Sequence, residues 1–173
     1  VAVVKFHFCG ASTREFLSGV SFRNVFTHRD PRDALVSRMV RFNYDFDGAL
    51  CELEQIHGYH DDFSKAEALF VAYSDVMSRP VWVVSQLTKH LRIEIDDNFS
   101  VRISSQFSLE NTRQNILPRL RPDPVMLHDP LSLYHPRHIV RSDTGYWEEH
   151  LTLSQERRVR SRLPRWFEEW GYS

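Results

Sequence analysis

Residues 23–42 read RNVFTHRDPRDALVSRMVRF, and this stretch narrows the possible folds further than any other. A β-branched and aromatic run over 23–28 passes straight into Arg29-Asp30-Pro31, after which the apolar period over 32–42 is helical. Asp30 is a good N-cap, Pro31 suits the first helical position, and Asp33 sets negative charge against the positive end of the helix. A strand turning directly into a helix predicts an α/β sheet. In open sheets such junctions are where ligands bind, and the unpaired N–H groups of the helix start face an anion. Arg29 and Ser37 flank that start, so an arginine fork, backbone donors and a hydroxyl together suit a phosphate. The same residues are equally a strong helix start, and both readings stand on this segment alone.

The alternation of strand and helix continues along the chain. Residues 1–8, VAVVKFHF, read as a strand buried on both faces of a parallel sheet, and Lys5 and His7, two apart, project to one side of it. Residues 69–73 predict a further strand, and 80–91 a helix opened by Pro80. Short helices are expected over 97–104 and 109–115, around Ser105-Gln106-Phe107. Residues 46–64 carry two glycines and mixed aromatics and histidines, and predict a surface excursion with helix only over 49–56. The five prolines of 116–138 predict a long loop. Thr152 with Gln155 forms a capping box for a last helix running to about Trp170, where Gly171 stops it. One α/β domain over residues 1–173 is the expected architecture.

Composition restricts function. The 22 basic and 23 acidic residues leave a net charge of −1, which excludes wholesale nucleic-acid coating and a polybasic membrane tether. No apolar run reaches the roughly 18 residues of a spanning helix and no signal-peptide pattern opens the chain, so a soluble, cytoplasmic protein is expected. Cys9 and Cys51 form neither a disulfide framework nor a zinc pair. His57 and His60 beside Asp61 and Asp62 lack a third fixed ligand and read as a solvated loop, so no metal is expected. Of the 22 basic residues 19 are arginines, which fits either an arginine-biased genome or anion recognition. Arg157, Arg158, Arg160 and Arg162 spread over more than one helix face and read as surface.

Arg29, Asp30, Pro31, Arg32, Asp33, Val36 and Ser37 resemble the 3′-phosphate motif of the sulfotransferases that use 3′-phosphoadenosine 5′-phosphosulfate (PAPS), approximately R-[ND]-P-[KR]-D-x-x-V-S. Further segments follow in the family's order. Lys5-Phe6-His7 is similar to its strand-end K-[TS]-H, Tyr73-Ser74-Asp75-Val76 to Y-E-D-L, and Leu91-Arg92-Ile93 to its F-L-G-I segment. Ser105-Gln106-Phe107 is similar to T-S-F-E, and the run from Arg141 to Trp147 to R-K-G-x-x-G-D-W. The resemblance implies a three-layer domain of the P-loop nucleotide-kinase type with a central parallel sheet. It implies sulfuryl transfer from PAPS to a hydroxyl or amine of a small acceptor, with adenosine 3′,5′-bisphosphate (PAP) as product and no metal.

The same resemblance assigns roles. Arg29 and Ser37 hold the 3′-phosphate, with Arg141 and Ser142 beside it. Tyr73, Ser105 and Phe107 contact the nucleotide. His7 is the general base, and Lys5 offsets charge on the leaving oxygen. The acceptor pocket falls to the variable stretches 42–60 and 116–138, with Phe42, Phe46 and Tyr134 as its rings. On the residues alone, His7 is as well read as a core histidine, and Tyr73 and Phe107 as core aromatics. Two departures stand out. The family's 5′-phosphosulfate loop would precede Val1, and Ser142 and Asp143 replace a lysine and a glycine, with Asp143 repelling a phosphate. The expectation is therefore a natural polypeptide longer at its N-terminus, with residues 1–173 alone inactive and prone to aggregate through an uncovered strand edge. A binding or scaffold protein without turnover, and a different P-loop transferase such as a small-molecule kinase, are the alternatives. Acceptor identity and oligomeric state are not readable.

Overall fold

The computed structural model describes residues 22–63, 68–96, 98–116 and 144–173, together with Glu15 and Pro118. The strand expected over 1–8 and nearly all of the loop expected over 116–138 lie outside the described residues. Those residues form two compact units, one up to Ala72 with Gly145–Ser173, the other within Tyr73–Thr144. Among them no helix is long and apolar enough to cross a membrane.

In the first unit, β1 (Asn24–His28) pairs in parallel with β2 (Ala68–Ala72), Asn24 opposite Ala68 and His28 opposite Ala72. Parallel neighbours need a crossover, and two helices supply it, α1 (Pro31–Phe42) and α2 (Phe46–Phe63). Helix α1 starts as its sequence predicts, with Asp30 as N-cap and Pro31 in the first turn. Helix α2 corrects the reading of 46–64 as an excursion. Phe46, Ala49, Leu50 and Leu53 fall at i, i+3, i+4 and i+7, one apolar face, and all four are buried in the core. The Asp45 side chain accepts from the Gly48 N–H at 2.7 Å and so satisfies a donor of the first turn.

The core is completed from the other end of the chain. Leu35 of α1 and the α2 face pack with Val159 and Leu163, and with Trp166 and Phe167. Val159 belongs to α6 (Leu153–Arg162), and the two aromatics to α7 (Pro164–Trp170). The capping box forms as expected, Thr152 N–H to Gln155 Oε1 at 2.9 Å and Gln155 N–H to Thr152 Oγ1 at 3.3 Å. The single last helix is instead two, because Pro164 cannot donate into the preceding turn and starts a new helix. Gly171 then ends α7 with φ +66°, a left-handed conformation that favours glycine. Of the four arginines of α6, Arg157, Arg158 and Arg162 are exposed as expected and Arg160 is half-buried, and Arg158, Arg160 and Arg162 are ion-paired. Arg158 binds Asp47, and Arg162 Nη2 lies 2.7 Å from Glu54 Oε2, so both reach α2. Exposed pairs of this kind contribute little each.

In the second unit α3 (Tyr73–Ser78), α4 (Pro80–Leu91) and α5 (Phe99–Gln106) follow one another, then one turn at Leu109–Asn111 and a π-helical stretch, Thr112–Ile116. Tyr73 opens a helix rather than closing a strand. Helix α4 has the predicted bounds and ends at Arg92 in the left-handed region, where the Ile93 N–H returns to the Thr88 carbonyl. It packs against α5, and Val83, Thr88, Ser100 and Ser104 are buried.

Leu53 is 1% exposed at the centre of the first unit's core. Leu53→Ala is expected to destabilise by about 2–5 kcal/mol through lost transfer energy and a residual cavity. Urea denaturation reads this, and a loss below about 1 kcal/mol would contradict the placement of α2 in the core.

Candidate functional site

The β1–α1 turn carries four charged side chains, Arg29, Asp30, Arg32 and Asp33, in different environments. Asp30 caps the helix, its Oδ1 accepting from the Arg32 N–H at 2.9 Å. The same carboxylate holds the Arg32 side chain, with Nε at 3.0 Å from Oδ1 and Nη2 at 2.6 Å from Oδ2. Arg32 is thereby turned inward and is 4% exposed. Its Nη2 also donates to the Ser173 carbonyl at 2.7 Å, and its Nη1 lies 3.4 Å from Glu156. The guanidinium plane sits 4.1 Å from the Trp147 ring centre. Burial works against its charge, but the bonds to Asp30 and the field of Glu156 outweigh that and raise its pKa further. A cation matched this fully is a structural clamp, with its donors already directed at the chain's own acceptors.

Asp33 is 1% exposed. Its Oδ2 accepts from the Gly145 N–H at 2.9 Å and its Oδ1 from the Trp147 N–H at 3.0 Å. Both bonds are charge-assisted, and together they pin the 145–147 turn to the start of α1 across more than a hundred residues of sequence. Gly145 takes φ +83° to present its N–H, which restricts the position to glycine. Arg29 Nη2 lies 3.7 Å from Asp33 Oδ2, so the same carboxylate also meets the arginine of the candidate anion site.

Arg29, Asp33 and Ser37 are spaced by four, which places Asp33 and Ser37 on one helix face with Arg29 at its head. Ser37 is exposed and the Arg29 side chain is partly so. The arrangement is a partly open cation, an open hydroxyl and the positive end of a helix, backed by a buried carboxylate. Beside it, His28 at the end of β1 lies with Nδ1 3.0 Å from the Tyr172 hydroxyl and stacks on Trp170 at 3.7 Å. His28 and Arg32 thus both hold the 170–173 segment against this turn.

The remaining expected site residues are distributed as follows. Phe42 is exposed at the end of α1, its ring 5.6 Å from Tyr44. Phe46 is a correction to the acceptor-pocket reading of 42–60: its ring is buried in the core cluster, because it is the first residue of the apolar face of α2. Tyr73, Ser105 and Phe107 are in the second unit, at the first position of α3, in the last turn of α5 and at its C-cap. Ser105 and Phe107 are exposed. Lys5, His7, Tyr134, Arg141, Ser142 and Asp143 lie outside the described residues, as does Cys9. Among the described residues no group of three or more His, Cys, Asp or Glu is placed to hold a metal ion, and His57 lies against the Trp166 ring at 5.6 Å. The sequence marks Asp33 only as a first-turn charge and does not mark Arg32 as a clamp, because Gly145, Trp147, Glu156 and Ser173, which complete both roles, lie at the far end of the chain.

No family model matches the chain, and no curated protein matches it by sequence. Among solved structures, it is similar to mouse sulfotransferase SULT7A1 complexed with PAP, with a TM-score of 0.62 and 16% identity. The match covers 83% of this chain, which spans 57% of the mouse structure. At that identity the likeness is one of fold: this chain shares a sulfotransferase-like arrangement of helices around parallel strands.

Removing the Asp33 carboxylate leaves two half-buried N–H groups without their acceptor. Asp33→Ala is expected to destabilise the chain by about 3–6 kcal/mol, and Asp33→Asn, which keeps one acceptor oxygen, by about half as much. Denaturant titration checks both, and a cost under about 1 kcal/mol for the alanine variant would show that the 145–147 turn is held by something else.

Proposed function

We propose that the β1–α1 turn is the 3′-phosphate half of a PAPS site, in a protein that transfers a sulfuryl group to a hydroxyl or amine of a small acceptor. The observation that carries this reading is the Asp33 carboxylate, which brings the R-D-P-R-D turn and the G-Y-W turn into one structure. These are two separate segments of the sulfotransferase resemblance, and the fold likeness to the PAP-complexed mouse enzyme agrees with it. In this reading β1 and β2 belong to the central sheet of a three-layer P-loop domain, and the protein works in the cytoplasm.

The residues present fit a phosphate. Arg29 offers a planar donor fork, Ser37 an exposed hydroxyl, and α1 the positive end of its dipole. Arg32 and Asp33 hold these groups in place without themselves being open to a ligand. The resemblance assigns Arg141 and Ser142 to the phosphate, and Tyr73, Ser105 and Phe107 to the rest of the nucleotide. His7 removes the proton from the attacking acceptor oxygen or nitrogen as the new bond to sulfur forms and the bond to the bridging oxygen breaks. Lys5 places positive charge where that bridging oxygen leaves with its electron pair. Phe42 and Tyr134 line the acceptor side. A pre-set phosphate clamp orients the donor for in-line attack, so binding energy remote from sulfur serves the rate.

PAP is expected to bind this chain more tightly than AMP, which lacks the 3′-phosphate, and Arg29→Ala to weaken PAP by at least about tenfold with AMP unchanged. Calorimetry decides it, and equal affinities for PAP and AMP would remove the 3′-phosphate assignment. In a polypeptide that turns over, His7→Ala is expected to lower kcat by roughly 10² to 10⁴ while PAP affinity stays the same. Near wild-type turnover in that variant would assign the base elsewhere.

A further inference from the structure

At the C-terminal end of α1 one guanidinium has no ion-pair partner among the described residues. Arg38 and Arg41 are three residues apart, and the nearby carboxylate, Glu52 of α2, is bound by Arg38. Arg41 has no hydrogen bond or ion pair among the described residues, and its Nε is buried without an acceptor. Burial first, and then the like charge of Arg38, hold its pKa below the usual arginine value against the opposing pull of Glu52. The carbonyls of the last turn favour a cation here, yet none accepts from that Nε–H. Leaving a buried donor unmatched is costly, and native structures rarely do so without a reason.

Next to this cation lies an open aromatic surface. The Arg41 guanidinium sits 4.6 Å from the Phe42 ring centre. Phe42 is 44% and Tyr44 43% exposed, with ring centres 5.6 Å apart and planes inclined at 30°. Asn43 between them takes φ +55°, which ends the helix and sets the two rings side by side. A cation without an ion-pair partner among the described residues, beside two open rings, matches a molecule that has one negative charge and one flat apolar face.

We propose that this corner binds a small aromatic molecule bearing a carboxylate, with the carboxylate on Arg41 and the ring against Phe42 and Tyr44. A singly charged, planar carboxylate suits the guanidinium fork. A phosphate dianion suits it less, because Glu52 and the carbonyl end of α1 both oppose added negative charge. Arg41 is one helical turn beyond Ser37, about 6 Å along the axis, so this ligand would lie next to the bound nucleotide. Calling the ligand the sulfuryl acceptor rests on the proposed function; its binding at Arg41 does not.

The test uses two matched phenols, 4-hydroxyphenylacetate and the neutral 4-hydroxyphenylethanol, titrated into the isotope-labelled chain and followed by NMR. The carboxylate is expected to bind at least about tenfold tighter, with its shifts centred on Arg41, Phe42 and Tyr44 and its advantage reduced by salt. In R41Q the two affinities should become nearly equal, and in R41K, which keeps the charge but loses the fork, the ratio should be intermediate. Because Arg41 has no ion-pair partner among the described residues, R41Q is expected to melt no lower than the parent; R41K serves as the readout if it does. Equal affinities in the parent chain, an unchanged ratio in both variants, binding of neither phenol, or shifts mapping away from Phe42 and Tyr44 would each overturn the proposal. A chain that prefers the carboxylate but shows no preference for PAP over AMP would keep this subsite and lose the sulfotransferase reading.

Discussion

A carboxylate removed from water and bonded to two backbone N–H groups is the constraint on which this structure turns. Asp33 has no solvent to fall back on, so its charge is tolerable only while the Gly145 and Trp147 amides and the Arg29 guanidinium face it. The reverse also holds, since those amides sit at the start of the 3-10 helix Tyr146–Glu149, whose first N–H groups have no partner within the helix and need an acceptor. The pairing fixes the position of the 145–147 turn, and with it the Trp147 ring that lies against Arg32. It also sets Arg29, the candidate ligand to phosphate, against a fixed negative charge. A guanidinium beside a buried carboxylate has fewer rotamers to lose on binding, which favours affinity through preorganisation.

Arg32 performs the matching task for the end of the chain. It joins the helix start, α6 through Glu156 and the backbone of Ser173, while His28 holds Trp170 and Tyr172. A lysine could not do this, since one point charge has neither the fork that reaches three acceptors nor the flat face that stacks on Trp147. The charged turn therefore has two inward residues, Arg32 and Asp33, that assemble the unit, beside the half-buried Arg29, which meets Asp33, and the exposed Ser37, the two residues of the proposed phosphate site. That division is what separates a candidate binding site from a mere helix start.

Local signals were readable in the sequence wherever the cause was local. Asp30 with Pro31, Thr152 with Gln155, Pro80 and Gly171 each act within a few residues, and each produced the expected end of a helix. Gly48 and Gly58 obscured α2 because intrinsic propensity counts against them, whereas burial of Phe46, Ala49, Leu50 and Leu53 on one face decides the outcome. The same burial removes Phe46 from the acceptor side. Pro164 is a local break inside the stretch expected as one helix between the capping box and Gly171. The long-range roles of Asp33 and Arg32 could not be read from spacing, because Gly145, Trp147, Glu156 and Ser173 lie more than a hundred residues away. Only the family resemblance placed both segments near one phosphate, and it offered no physical link between them.

The central claim is that the segments around Arg29 and Gly145 form one site through Asp33. Backbone amide NMR during a titration with PAP addresses it most directly. The account predicts that the amides of residues 29–37 and of Gly145 and Trp147 shift together, with one affinity, and that the Asp33→Asn variant separates the two responses. Shifts confined to one of the two segments, or lying mainly elsewhere in the chain, would contradict it.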